Sequence, residues 1–198
     1  MKTLKYIFVI VTLMISFCSC IKQRFYPDID DPGLSRFTSK HFNAGTCYIN
    51  DTAYINYWPS VLFNNRPIPK ITKVITAGST MDSIDFRWEI ALKKGNKFTD
   101  GNYRYISIRM PVSKGFTVQD FVNWSGRQFA SDANTLTLDG SFILNHSFKG
   151  SANIYFVKIF KEELSGNIYA SGLFNGRIGD SIFVKNGRFD YLVKTENF

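Results

Sequence analysis

The chain has 198 residues, of which 44% are hydrophobic, 20% are charged and 16% are aromatic, and its formal net charge is +8. This composition is typical of a globular protein and excludes a disordered or fibrous chain, and the length suits one domain with a short appendage. Two histidines and three cysteines leave too few ligands for a zinc cluster, so we expect no metal and no cofactor. The basic residues are dispersed, which argues against a nucleic-acid partner.

The first 20 residues have the features of an export signal. Lys2 and Lys5 form a positive start, and an apolar run extends from Tyr6 to Phe17. A run of this length is typical of a signal peptide and is too short to span a bilayer comfortably. A buried core helix is the alternative, but the basic start and the small residue before Cys20 favour export.

The end of this segment, Phe17-Cys18-Ser19-Cys20, resembles the lipobox of bacterial lipoproteins. In that family a small residue precedes the cleavage point and a cysteine follows it, as Ser19 and Cys20 do here. The resemblance implies that residues 1–19 are a lipoprotein signal peptide and that Cys20 is lipidated, with diacylglycerol on its sulfur and an acyl chain such as palmitate on its amine. Two or three chains anchor a protein stably to a membrane. Plain secretion with cleavage near Ser19 is the competing interpretation.

Residues 20–40 predict a flexible tether, because they combine prolines, a glycine and charges of both signs without a hydrophobic period. An EF-hand loop that began at Asp28 would have the required sixth-position glycine in Gly33. Ser39 stands where the twelfth-position glutamate is needed. We therefore expect a linker rather than a calcium site.

Cys47 is the one cysteine that lipidation of Cys20 and removal of Cys18 would leave unmodified. No intrachain disulfide is then expected. Cys47 lies in an apolar stretch, which favours a buried structural thiol. A catalytic thiol would need a basic partner, and only His41 and His146 are available.

Residues 41–198 predict one antiparallel β domain. The pair Asn50-Asp51 is a plausible hairpin turn between two short apolar runs. Residues 83–92 alternate between apolar and polar side chains, as a strand with one buried face does. A second strand is expected at 102–110, beyond a polar loop at 93–101.

One short helix is expected near Thr117–Trp124. Thr117 has the place of an N-cap, Asp120 follows three positions later, and Gly126 is suited to end the helix. The remaining strand patterns lie at short spacing, which leaves no room for crossover helices and requires antiparallel neighbours. The sequence therefore predicts an all-β fold, either an antiparallel β-sandwich or a partly open barrel, with about 8–10 strands. These later strands are expected at 135–138, 141–145, 152–160, 167–174, 181–185 and 188–193, with turns at Asp139-Gly140, Gly179-Asp180 and Asn186-Gly187.

Two stretches resemble the small lipoproteins of Bacteroidota that carry a β-sandwich or lipocalin-like domain. Residues 42–54 share the short strand, polar turn pair and following aromatic residue of that family. Residues 171–174 and 181–189 are similar to its C-terminal Gly-x-Phe and Asn-Gly-x-Phe strands. The resemblance implies an all-β fold and a cell-envelope location, and it implies no catalytic residues.

The residues after Cys20 bear on which face of the outer membrane the protein occupies. Some lipoproteins of this kind reach the cell surface through an acidic run directly after the cysteine. Here Ile21-Lys22-Gln23-Arg24 follows instead, and the first acidic residue is Asp28. We therefore expect a periplasm-facing position.

Sequence patterns of catalysis are sparse in this chain. It contains no Gly-x-Ser-x-Gly, Walker or dinucleotide-binding glycine motif. A glycosidase needs only two carboxylates, and Glu89, Glu162 and Glu163 are available, but a polar strand face and a loop favour solvated roles for them. We expect no catalytic residues and no enzymatic activity.

Aromatic side chains near loops are the remaining functional candidates. Tyr57 and Trp58 lead into a proline-rich loop, and Trp124 lies close to Arg127 in the sequence. Such rings stack on sugars or anchor a protein partner, which predicts a binding rim; alternatively they close the open end of the β domain. We expect a lipid-anchored, non-enzymatic envelope protein that binds a glycan or a protein partner. The alternatives are a lipocalin-like carrier of a small apolar ligand and a carboxylate-dependent glycosidase.

Overall fold

The computed structural model describes residues 28–31, 33–37, 44–56, 70–94, 97–132, 134–139, 147–196 and 198. Within these ranges the fold is all-β with one short helix, as predicted. The elements, in chain order, are β1 (Ala44–Ile49), β2 (Thr52–Asn56), β3 (Lys70–Val74), β4 (Met81–Lys94), β5 (Lys97–Ser113), α1 (Val118–Val122), β6 (Gln128–Phe129), β7 (Thr135–Asp139), β8 (Ser147–Lys161), β9 (Ile168–Ile178) and β10 (Ile182–Glu196).

Seven of the strands close into a barrel, in the order β4, β5, β7, β8, β9, β10, β3 and back to β4. The fold is thus a closed barrel with additional strands, rather than a sandwich. Neighbouring strands are antiparallel except for β3 and β10, which run parallel with Lys70 opposite Lys194. Closure is favourable because it pairs the backbone groups that an open sheet would expose at its edges.

The β1–β2 hairpin is confirmed and forms an additional part of the barrel wall. Its turn residues Asn50 and Asp51 have φ values of 46° and 63°, as the two central positions of a type I′ turn require. β1 pairs with β10, and β2 pairs with β4. The hairpin therefore bridges β10 and β4, and β3 bridges the same two strands at a different position along their length.

Two predicted strand ends differ from the structure. The pair Asn186-Gly187 does not form a turn, because β10 continues through it and pairs with β1 and β9 on both sides. The left-handed backbone of Asn186 (φ 51°) is accommodated in a β-bulge, and 181–185 and 188–193 belong to one strand. The polar loop expected at 93–101 is also too long, since Lys94 of β4 already pairs with Lys97 of β5. The strand expected at 141–145 lies outside the described residues.

Helix α1 is shorter than predicted but begins as expected. Thr117 accepts from the backbone N–H of Asp120, and the Asp120 carboxylate accepts from the Thr117 backbone N–H, which together form a capping box. The helix ends at C-cap Asn123, and Gly126 follows with φ 77°. Phe121 is fully buried, so the helix fixes an aromatic ring against the barrel. The described part of the chain holds no helix with the length and apolar character needed to cross a bilayer.

The barrel core consists largely of aromatic rings. The predicted alternation in β4 is confirmed, since Ile84, Phe86, Trp88 and Ile90 are all buried. The ring centroids of Trp88 and Phe174 are 5.1 Å apart, and those of Phe86 and Phe189 are 5.0 Å apart. These four rings come from β4, β9 and β10, so packing across the barrel joins strands that are distant in the sequence.

Cys47 is a free, buried cysteine in β1, as predicted. Burial raises the pKa of its thiol to about 12. The thiol is therefore protonated at neutral pH and serves as a small apolar core group rather than a nucleophile.

Part of the predicted tether packs onto the barrel. Residues 28–31 and 33–35, which we call the N-terminal strap, place Leu34 in a fully buried position. The Ser35 hydroxyl lies 3.3 Å from the Thr46 hydroxyl of β1. The predicted flexible tether therefore does not extend through the strap.

Candidate binding site on the barrel wall

The structure describes only part of the predicted aromatic rim. Tyr57 and Trp58, like the predicted lipidation site Cys20, lie outside the described residues. Trp124 is 7% exposed, and its ring packs 4.4 Å from that of Phe129, centroid to centroid. Trp124 is therefore a buried core residue rather than an exposed residue of a binding rim.

Arg127 is exposed, and its backbone rather than its side chain supports the fold. Its N–H donates to the Trp124 carbonyl at 2.9 Å, and its carbonyl accepts from Phe156 at 3.0 Å. The structure therefore leaves the Arg127 side chain at the surface while Trp124 points into the core.

The acidic residues considered for catalysis lie in two places, Glu89 in β4 and the neighbours Glu162 and Glu163 in the loop after β8. Glu89 is only 8% exposed, so the solvated position expected for it is wrong. Burial raises the pKa of its carboxyl, and a hydrogen bond from Tyr105 partly opposes that shift. Glu162 lies in the loop after β8, where it accepts a hydrogen bond from Ser165. Nowhere in the residues that the structure describes do three His, Cys, Asp or Glu side chains gather as metal ligands would.

A depression of about 620 Å³ lies on the barrel wall formed by β8, β9 and β10. Its surface combines one tyrosine, one exposed leucine, four side-chain amides and two basic residues. The lining residues are Gln128, Asn153, Ile154, Tyr155, Leu173, Phe174, Asn175, Lys185, Asn186, Gly187 and Arg188.

Strand register explains why these residues meet. Tyr155 of β8 is opposite Leu173 of β9, which is opposite Arg188 of β10. Asn153 is two positions from Tyr155, Asn175 is two positions from Leu173, and the two asparagines are opposite each other. Because side chains on a strand alternate between faces, these residues share the outer face while their neighbours point into the core. The pair Tyr155–Leu173 and the amide pair Asn153–Asn175 therefore lie side by side.

The β-bulge in β10 adds the third side of the depression. Val184 pairs with Gly176 and Gly187 pairs with Phe174, so Lys185 and Asn186 together face the single residue Asn175. Both Lys185 and Asn186 are exposed. Without the extra residue of the bulge, only one of these two side chains would reach this face.

Gly187 is needed at the bulge for steric reasons. A Cβ atom at this position would lie 2.5 Å from the Phe174 ring. Phe174 is 3% exposed and packs inward. The glycine thus allows the aromatic core to approach the wall directly beneath the depression.

The N-terminal strap borders the depression through charged contacts. The Arg188 guanidinium donates to the Asp28 carboxylate and, at 3.3 Å, to the Ser35 carbonyl. The Asn186 amide donates to Asp31 at 3.2 Å. Asp31 also accepts a hydrogen bond from Tyr48, which raises the pKa of that phenol to about 12.

The two basic residues of the depression already have acidic partners in the chain. The Arg188 side chain, 17% exposed, lies beside Asp28 and Asp31. Lys185 lies 3.2 Å from Asp51, and both are well exposed. The charges at the depression are thus balanced locally, although the chain as a whole is basic.

The sequence did not predict this site, because the predicted binding residues were aromatic side chains in loops. The wall residues belong to strands, and their common face depends on which strands become neighbours. A signal was nevertheless present, since Asn153 and Tyr155 alternate with buried residues, and Leu173 and Asn175 do the same.

Comparisons of this chain with protein-family models, with curated proteins and with solved structures found no match. The fold and the depression define the class as a closed all-β barrel with a polar and aromatic recess on its wall.

Proposed function

We propose that this protein is a lipid-anchored, non-enzymatic module of the bacterial cell envelope that binds a glycan. The observation that carries the proposal is the depression on β8, β9 and β10. Tyr155 is 38% exposed there, and an exposed aromatic face suits stacking on a sugar ring. The surrounding amides supply both donors and acceptors, which sugar hydroxyls require.

The proposed anchor is the lipidated Cys20, supported by the resemblance of Phe17-Cys18-Ser19-Cys20 to a lipobox. The proposed location is the outer membrane, facing the periplasm. Loops and outer faces on rigid β scaffolds are common places for binding. The module would thus hold a glycan ligand close to the membrane surface.

The absence of acids from the depression supports a binding role over a glycosidase. A retaining or inverting glycosidase needs two carboxyl groups across the sugar. None of the residues that line the depression is a carboxylic acid, and Asp28 and Asp31 at its border are bound to Arg188. We therefore assign no catalytic residue to this site.

A lipocalin-like carrier is the second candidate, and one observation favours it. Trp88 Nε1 and Tyr191 Oη are buried and have no hydrogen-bond partner in the described part of the chain. A polar group of an internal ligand would satisfy them. However, aromatic rings fill the space around them, with Trp88 and Tyr191 6.5 Å apart between centroids. A ligand would have to displace these rings.

A glycan array with the purified mature lipoprotein tests the proposal. We expect at least one glycan class to bind, and Tyr155→Ala to weaken that binding about tenfold, which is the scale of one lost stacking contact. Phe148→Ala is the matched control, because Phe148 is a 43%-exposed aromatic residue on the same strand outside the depression. Binding that survives Tyr155→Ala, or an array without any bound glycan, would contradict the proposal. Native mass spectrometry of a copurified apolar ligand would favour the carrier instead.

A further inference from the structure

We propose that the depression recognises a sugar residue that bears an acetamido group. The paired amides of Asn153 and Asn175 would bind the acetamido N–H and C=O, and Leu173 would contact its methyl group. This inference rests on the proposed glycan-binding function and specifies the class of sugar.

The amide pair offers the hydrogen-bonding groups that complement an acetamido group. Asn153 Nδ2 donates to Asn175 Oδ1 at 3.0 Å. Within the described residues, this bond leaves the Asn153 carbonyl and the Asn175 NH₂ group available. Exchanging the oxygen and nitrogen of both amides would again leave one acceptor and one donor. An acetamido group carries one N–H and one C=O, so both of its polar groups find a partner.

An apolar contact lies beside the amide pair. Leu173 is two positions from Asn175 on β9 and is 41% exposed. Residues two apart on one face are separated by about 7 Å. An acetamido group that is hydrogen-bonded to the amide pair can therefore bring its methyl group into contact with Leu173. That contact would remove apolar surface from water.

The sugar ring has a place in the same arrangement. Tyr155 is directly opposite Leu173 and two positions from Asn153. The four side chains thus form a square, with amides on one side and apolar surface on the other. A pyranose ring on Tyr155 would direct its 2-substituent across toward Leu173 and the amide pair.

Local charge favours a neutral sugar over an acidic one. The Lys185 ammonium is paired with Asp51, and the Arg188 guanidinium is paired with Asp28 and Asp31. An acidic sugar would have to compete with carboxylates that the chain itself supplies. An acetamido sugar without a carboxylate meets no such competition.

Isothermal titration with two matched oligosaccharides tests the inference. The probes are β1,4-linked trimers of N-acetylglucosamine and of glucose, which share the same backbone and differ only in the 2-substituent. We expect the acetamido trimer to bind about tenfold more tightly, because a site built to hydrogen-bond a group rejects the analogue that lacks it. Equal or tighter binding of the glucose trimer would overturn the inference.

Variants identify the groups responsible. Asn175→Leu should reduce the tenfold preference to about twofold or less, and Leu173→Ser should reduce it about threefold, where the preference is the ratio of the dissociation constants of the two trimers measured for that variant. Asn167→Leu is the matched control, because Asn167 is exposed just before β9 and outside the depression. A preference that survives Asn175→Leu would also overturn the inference.

The failures of the two proposals are distinguishable. If both trimers bind equally and Tyr155→Ala abolishes both, glycan binding stands and the acetamido assignment falls. If neither trimer binds, the acetamido assignment falls, and the array decides the glycan proposal independently.

Discussion

The guanidinium of Arg188 donates a hydrogen bond to the carboxylate of Asp28, a residue 160 positions earlier in the chain. Both side chains are less than one fifth exposed, at 17% and 18%. Arg188 lines the depression, and Asp28 begins the strap. This contact therefore joins the N-terminal strap to the wall of the proposed binding site.

Loss of the Arg188 side-chain charge should release the strap. We expect Arg188→Met to increase the rate of trypsin cleavage after Arg36 several-fold, because Asp28 and the Ser35 carbonyl would lose their common donor. The cleaved peptide is quantified by mass spectrometry. Arg109→Met is the control, since it breaks the more exposed Arg109–Asp85 pair far from the strap in sequence. Equal cleavage rates in the two variants would show that Arg188 does not hold the strap.

Acid should release the same segment. The N–H of Asp30 and the Arg188 guanidinium lower the pKa of the Asp28 carboxyl below its ordinary value of 3.8. A carboxyl whose pKa is lowered in the folded state stabilises that state above its unfolded pKa, and the contribution disappears as the pH falls through the folded pKa. We expect the strap to remain docked at pH 5–7 and to detach below about pH 3.8.

The methyl NMR signals of Leu34, which is fully buried in the docked strap, report this release. In the native protein, the chemical shifts of these methyl groups should move toward those of an unfolded chain below about pH 3.8. In Asp28→Asn the same signals should show no transition between pH 5 and pH 3. A transition centred above pH 5 would assign the release to another group.

Truncation of the central core aromatic should destabilise the barrel strongly. Trp88 is 2% exposed and packs against Phe86, Phe174 and Phe189. We expect Trp88→Ala to lower the free energy of unfolding by about 3–5 kcal/mol in urea denaturation. Phe148→Ala, at an exposed position, should change it by less than about 0.5 kcal/mol. A loss below about 1 kcal/mol for Trp88→Ala would contradict the assigned strand register.

Lipidation should depend on Cys20. Mass spectrometry of the membrane-extracted protein should show acyl chains on the N-terminal Cys20, and Cys20→Ala should leave an unacylated protein. The Cys47→Ala variant is the control, since its buried thiol (pKa about 12) is not a lipidation site. Acylation that persists in Cys20→Ala would exclude the lipobox interpretation.

Local patterns were sufficient for several elements of the fold. The period-two alternation of residues 83–92 identified a strand with one buried face, because burial of one face requires that period. The Asn50-Asp51 turn followed from the left-handed conformations that these residues tolerate. The Thr117–Asp120 capping box was equally local, since both partners lie within one helical turn. In each case the interacting groups are close in the sequence.

Tertiary structure decided the features that depend on distant partners. The pair Asn186-Gly187 favours a left-handed backbone, which suits a turn and a bulge equally. The strand pairing of β10 with β1 and β9 on both sides of the pair selected the bulge. Trp124 has an aromatic ring suited to a surface or a core, and packing against Phe129 placed it in the core. The depression likewise exists only because strand order brings Tyr155 opposite Leu173. By itself the sequence determined that the chain would form β-strands, whereas closure of the barrel determined which side chains face a ligand together.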